Sequence, residues 1–283
     1  HRKLSMRYFA HIGFNGLQYR GWQRQARVTT VQGTIESCIS RIFRKPITCI
    51  GCGRTDAKVH AAQFFFHFDT DRELEIDLLW RINKVLPDDI AVFDIIPVEA
   101  GNHAQFSAIE RTYEYYIHTY KDPFLSGVSA LYHEKHLNLH EMQRAANMVP
   151  NYNDFSRFCK TPGRNDSNIC RVKSVKVFTN QWGNRLKISI SADRFVKGMV
   201  RIIAKRLLDI GNGSLTIDEF EGLLRQEGER KEITIAYPQG LYLMHVKYPF
   251  LEIPTMGQFS APTGAPNDYW IMVNPEANES SLL

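Results

Sequence analysis

The chain has 283 residues, of which 43% are hydrophobic and 23% charged, with a mean hydropathy of -0.31. That balance excludes a disordered tail protein and a membrane-embedded one, since no segment approaches the roughly 20 uninterrupted apolar residues of a helical span. Net charge is +5; residues 253–283 hold three acids (Asp268, Glu276, Glu279) and no Lys or Arg, so residues 1–252 set all 35 basic residues against 27 acids. A basic body suits a polyanionic partner as well as plain solubility, and charge alone does not choose between them.

Along the chain, His1 to Ser5 read as a remnant of expression, with Met6 as the natural start and no secretory leader. Arg7 to Phe14 alternates as a strand ending in Asn15-Gly16. The apolar positions Val31, Ile35, Cys38, Ile39, Ile42 and Phe43 predict a helix with Thr30 as its N-cap. Strands fit Thr48 to Cys52 and Gln63 to Phe68, and the polar loop Gly53 to His60 lies between them. A helix over Leu78 to Val85, a strand over Ile90 to Ile96 and an aromatic strand over Tyr113 to Thr119 complete the first half, β-α-β-β-α-β with one strand added.

The second half repeats that order: helix Leu139 to Met148, paired strands Val172 to Phe178 and Leu186 to Ala192 around the turn Gln181 to Asn184, helix Phe195 to Ile210 stopped by Gly211, a short helix Ile217 to Leu224, and a strand Leu241 to Val246. Asp122-Pro123 breaks the pattern. The expectation is an α+β protein of two similar halves side by side: residues 6–122, carrying the Gly53 to His60 loop, and residues 123–252. Residues 253–283 form an acidic tail that docks Tyr269 to Val273 or stays mobile. The five cysteines, with no leader before them, point to a reduced cytoplasmic compartment. Cys49 and Cys52 lack a second pair at zinc-ligand spacing and read as buried strand thiols.

Chemistry concentrates in Gly53-Arg54-Thr55-Asp56-Ala57-Lys58-Val59-His60, where a guanidinium, a hydroxyl and a carboxylate sit on consecutive residues between two strands. Asp56 is either an Asx-turn residue or a nucleophile kept ionised by a neighbouring positive charge. His60 reads as structural, because one histidine without a second ligand makes no metal site. Tyr113 by itself reads as a strand aromatic facing the core. Arg201, inside an apolar helix, calls for an acidic partner. Trp22 and Gln23 fit either packing or an RNA groove.

This loop resembles the signature G-R-T-D-A-G-V-H-A of the TruA-type tRNA pseudouridine synthases. Phe14-Asn15-Gly16, Tyr19 to Gln25 and Thr30-Val31-Gln32-Gly33 are similar to that family's opening motifs. Asn83 to Ile90, Phe106-Ser107-Ala108 with Arg111-Thr112-Tyr113, Asp154-Phe155-Ser156, Cys170-Arg171-Val172, Met199-Val200-Arg201 and Gly240 to Leu243 follow in family order, over roughly residues 6 to 250.

The resemblance implies the pseudouridine-synthase fold with its active-site cleft between the halves, no metal or organic cofactor, and tRNA as partner. It implies conversion of uridine to pseudouridine in the anticodon arm by a cytoplasmic homodimer. Asp56 would be the nucleophile, Arg54 would hold the flipped-out nucleotide, and Tyr113 would stack on its base. Arg201 would pair with the aspartate and keep it ionised, and Leu241 would wall the pocket. Lys58 stands where the family has glycine, Gln105 where it has arginine, and Ala204-Lys205 replace a glycine-containing step. These departures motivate an alternative, an RNA-binding or RNA-chaperoning protein that keeps the fold without turnover. A metal-dependent hydrolase using Asp56 and His60 is the remaining alternative.

Overall fold

Local sequence signals account for most of the elements. The computed structural model describes residues 5–229, 231–255 and 269–276. It divides into two compact units, one of residues 1–109 with 242–257 and one of residues 110–241 with 258–283.

In the first unit β1 (Met6–Phe14) leads to α1 (Val31–Phe43), which starts at the expected cap: Thr30 is extended and its hydroxyl accepts the Gly33 N–H at 3.2 Å. The next free helical N–H groups, on Val31 and Gln32, donate to the carbonyls of Gly21 and Trp22 at 3.1 and 3.0 Å, so the helix N-terminus holds the preceding loop in place. β2 (Ile50–Gly51), β3 (His60–Thr70), α2 (Leu78–Val85) and β4 (Ile90–Val98) follow. β3 is antiparallel to β1, and β1 to β4. The other edge of β3 is shared by β9 (Leu241–Lys247), parallel at His60 and Ala61, and by β2, antiparallel at Phe66 and His67.

The run Phe64-Phe65-Phe66 is wholly buried because both faces of β3 are covered. Trp22 lies on Phe64 with ring centroids 4.3 Å apart, while Tyr248 meets Phe65 edge-on at 5.4 Å. β4 runs two residues beyond the expected Ile96 and carries Pro97 opposite Tyr8, a position tolerated on an outer strand. β2 is far shorter than Thr48 to Cys52: Ile50 and Gly51 pair with His67 and Phe66 of β3, and Cys52 adds one further bond, from its N–H to Phe65 O at 2.8 Å.

In the second unit β5 (Glu110–His118) pairs antiparallel with β8 (Arg185–Ala192), β8 with β7 (Val172–Thr179), and β7 with the two-residue β10 (Ile271–Met272); β6 (Ala130–Leu131) lies parallel to the end of β5. α3 (Leu139–Met148), α4 (Met199–Gly211) and α5 (Ile217–Leu224) pack as a cluster, α3 against both other helices and β7. α4 begins at Met199, four residues later than the apolar spacing indicated. Gly198 at φ +77 is incompatible with a helix running through it from Phe195. Gly211 is the last residue of that helix, and a Cβ there would lie 2.6 Å from the Met142 sulfur, so close approach of α3 fixes it.

The division into units differs from the boundary at residue 122. β5, placed by sequence in the first half, opens the β-α-β-β-α order of the second unit, and β9, the expected last strand of the second half, joins β3 of the first. The alternation of both strands is blind to which partner receives them. Of the tail, Ile271 and Met272 extend the edge of β7, and Trp270 and Tyr269 lie over the Arg185 guanidinium at 5.3 and 5.7 Å. Residues 256–268 and 277–283 of the expected tail, and residues 1–4 of the expected remnant, lie outside the described residues. All five cysteines are free and buried, and burial pushes the Cys49 thiol well above its ordinary value. Among the described residues no helix is long and apolar enough to cross a membrane.

Candidate active site

The first unit holds Arg54 and Asp56. Their loop is irregular, yet its backbone is fixed by residues 16–22. Trp22 N–H donates to Thr55 O at 3.4 Å, Lys58 N–H to Tyr19 O at 3.1 Å, and Val59 N–H closes a turn on Asp56 O at 3.2 Å. Two glycines permit the approach. A Cβ on Gly16 would lie 1.9 Å from Val59 O, and one on Gly21, at φ +84, would lie 2.3 Å from Thr55 O. The opening motif therefore shapes the loop from below.

Trp22 is 1% exposed and belongs to the core, while Gln23 is exposed. Gln32 carries the support one layer further: its amide donates to Cys49 O at 2.7 Å and its carbonyl accepts Arg24 N–H at 2.8 Å.

On this scaffold Arg54 is exposed, Asp56 half-buried and Lys58 exposed. Lys58 has φ +68 at the third position of the Asp56–Val59 turn, so the position where the family motif has glycine does require left-handed backbone. The Thr55 hydroxyl, immediately before the carboxylate, is buried with no hydrogen-bond partner among the described residues. His60 is 1% exposed, accepts Gly16 N–H on Nδ1 at 2.9 Å and stacks on Tyr242 at 4.5 Å. Its ring is a structural prop, and among the described residues no group of three His, Cys, Asp or Glu side chains could hold a metal ion. Gln105 is exposed, and its N–H donates to His103 Nδ1 at 3.1 Å.

The second unit holds Tyr113, Arg201 and Leu241. Tyr115 and Tyr116 on β5 are fully buried, whereas Tyr113, two residues earlier, is half-buried with its ring edge-on to Phe195 at 4.9 Å. Phe195, freed from the helix by Gly198, thus becomes a support for the half-exposed ring. Sequence reasoning assigned Phe195 to the helix and missed this role.

Arg201 is 8% exposed on the third residue of α4. Its Nε donates to Ala236 O at 2.7 Å, and Ala236 N–H donates back to Arg201 O at 3.1 Å. From there residues 236–241 are laid along β5: Tyr237 O accepts the Tyr115 hydroxyl at 2.8 Å, and a Cβ on Gly240 would lie 2.6 Å from Tyr116 O. Leu241, 7% exposed, comes next. One short segment therefore links the arginine, the leucine and the tyrosine strand. Burial raises the Tyr115 phenol well above its usual range, with the neighbouring Tyr132 adding and the Arg201 charge opposing.

Comparison with known proteins bears on most of the chain. Residues 152–249 match the family model described as tRNA pseudouridine synthase. A tRNA pseudouridine synthase A of Porphyromonas gingivalis is 38% identical over 250 residues, covering 86% of this chain and 97% of that protein. That of Photorhabdus laumondii is 38% identical over 248 residues, with 84% and 90% covered. An Acinetobacter baumannii protein of the same description is 34% identical over 268 residues, with 94% and 98% covered.

Proposed function

The chain belongs to the tRNA pseudouridine synthase A family, and from that premise we propose that it acts on uridines in the anticodon arm of tRNA with Asp56 as nucleophile. The overall reaction is the isomerisation of uridine to pseudouridine in tRNA. The bond from ribose to uracil nitrogen breaks, the base turns, and a bond from ribose to uracil carbon replaces it, with one proton leaving that carbon and one returning to the nitrogen. Atoms and electrons balance within the substrate, so neither oxidant nor organic cofactor is required.

Each residue has a task set by this chemistry. Asp56 attacks the flipped-out nucleotide, for which it must be ionised; Arg201, a buried cation, pairs with it and favours that form. Arg54, exposed on the same loop, lies against the nucleic acid and holds the nucleotide out of its stack. Tyr113 stacks on the uracil, and Leu241 walls the pocket with apolar surface that excludes water. Asp56 and Arg54 belong to one unit and the other three to the second, so neither unit alone carries the set. The working form is a cytoplasmic homodimer across which the RNA lies.

The observation that supports this reading most directly is the Asp56 turn, half-buried and fixed from below by Gly16 and Gly21, in a chain of which 86% aligns with a tRNA pseudouridine synthase A. The test is incubation with unmodified tRNA transcripts without added metal, mapping pseudouridine by carbodiimide labelling and primer extension. Product in the anticodon arm that vanishes in Asp56→Asn, while RNA binding survives, is expected. Product elsewhere overturns the site of action; product surviving in Asp56→Asn overturns the nucleophile. Tight binding with no product at all favours the RNA-binding alternative raised by Lys58 and Gln105.

A further inference from the structure

Lys58 occupies a backbone conformation that costs a lysine free energy and costs a glycine none. Its φ of +68 sits at the third position of the Asp56–Val59 turn, where positive φ favours glycine or asparagine. The turn has no freedom to relax. Lys58 N–H is tied to Tyr19 O at 3.1 Å, Val59 N–H to Asp56 O at 3.2 Å, and the loop backbone presses on Gly16 and Gly21 at distances that admit no Cβ. A strained residue held in place by everything around it, and standing two positions from the carboxylate, marks a side chain with a use of its own.

The side chain is exposed, in a loop whose other exposed charge is Arg54. With 35 basic residues against 27 acids in residues 1–252, the body around it suits a polyanion. We propose that Lys58 is a substrate-positioning residue whose ammonium contacts a backbone phosphate of the RNA strand carrying the target uridine. It adds a point charge to the turn that bears Asp56, and so strengthens the hold on that strand equally before and during the reaction. The inference rests on the reading of Asp56 as the catalytic carboxylate, and its test separates the two.

The experiment compares Lys58→Gln, Lys58→Arg and Lys58→Gly with the parent protein in steady-state turnover of a tRNA transcript at several salt concentrations, together with thermal unfolding. Expected for Lys58→Gln is a rise in KM of roughly five- to tenfold with kcat little changed, and a plot of log affinity against log salt flatter by about one unit, the signature of one lost phosphate contact. Lys58→Arg should restore KM and slope. Lys58→Gly should show the same binding loss while melting about 2–4 °C higher, because it removes the strain along with the charge.

A Lys58→Gln protein with parental KM and salt slope overturns the proposal. So does a fall in kcat with a displaced pH profile at unchanged KM, which would make the lysine an electrostatic neighbour of Asp56 rather than an RNA contact. If the parent protein makes no product, it is the reading of Asp56 that fails; the salt slopes of RNA binding still decide the role of Lys58.

Discussion

Gly21 and Gly16 set the tolerance of the loop more tightly than any side chain in it. Gly21→Ala would drive a Cβ to 2.3 Å from Thr55 O at a φ of +84, and a backbone carbonyl cannot swing aside as a flexible side chain can. The expected result is a loss of about 2 kcal/mol in urea unfolding, together with a fall in turnover of at least roughly tenfold as Asp56 is displaced. Loss of stability with unchanged turnover would show that the loop keeps its shape without this contact. Tyr113 gives a second test at this scale. Tyr113→Phe keeps a ring against Phe195 and should retain most of kcat/KM, whereas Tyr113→Ala should lose roughly 10- to 100-fold, the value of one stacked base. Equal losses in both would point to the hydroxyl instead. Motif order singled out Asp56, Arg54 and Tyr113 in the sequence, and their roles rest on that resemblance. Phe195 was not singled out, because its role depends on Gly198 stopping the helix, and neither was the buried Thr55 hydroxyl.

Among the elements, those with their own termination signals appear where sequence placed them. α1 is capped by Thr30, α3 by the Asn138 side chain, and α5 by a capping box in which the Thr216 hydroxyl takes Glu219 N–H while the Glu219 carboxylate takes Thr216 N–H. Thr216→Ala should cost about 1 kcal/mol, read as a lower melting temperature. An unchanged melting temperature would mean that packing of Phe220 and Leu224 fixes the helix without its cap. The two-residue strand β6 left no trace in the pattern, and β10 showed only as part of the apolar segment Tyr269 to Val273, since a pair of residues has no periodicity and its pairing depends on its partner. The same limit explains the reassigned β5 and β9. Alternation reports that a strand has a buried face, and only the folded chain reports against what.

For the molecule as a whole, buried imidazoles set the acid limit of stability. His67 is 2% exposed and held down at about 4, first by burial and then by the positive charge of Arg7 and His103. Burial also lowers His11, against the pull of Asp94, and His118, with Arg185 adding to the effect. Groups that stay neutral when folded but take a proton near pH 6.5 when unfolded favour the unfolded chain as acid is added. Stability should therefore be full above about pH 6.5 and fall steadily toward pH 4. His67→Gln should flatten that fall in denaturant titrations across the same window, and an identical slope in the variant would remove His67 from the account.

The parallel pairing of β3 with β9 bears on how the protein is made. His60 rests on Tyr242, and Ala61 lies opposite Leu243, so the strand that follows the Asp56 loop is completed by residues near the far end of the chain. At synthesis rates of about 5–20 residues per second, roughly ten to forty seconds separate the emergence of the two partners. Throughout that interval the nascent chain exposes a strand edge and leaves its histidine prop unstacked. A ribosome that stops early releases a fragment with the Asp56 loop but without the strand that completes its sheet. Its unpaired strand edge is open to proteolysis or to pairing with another chain.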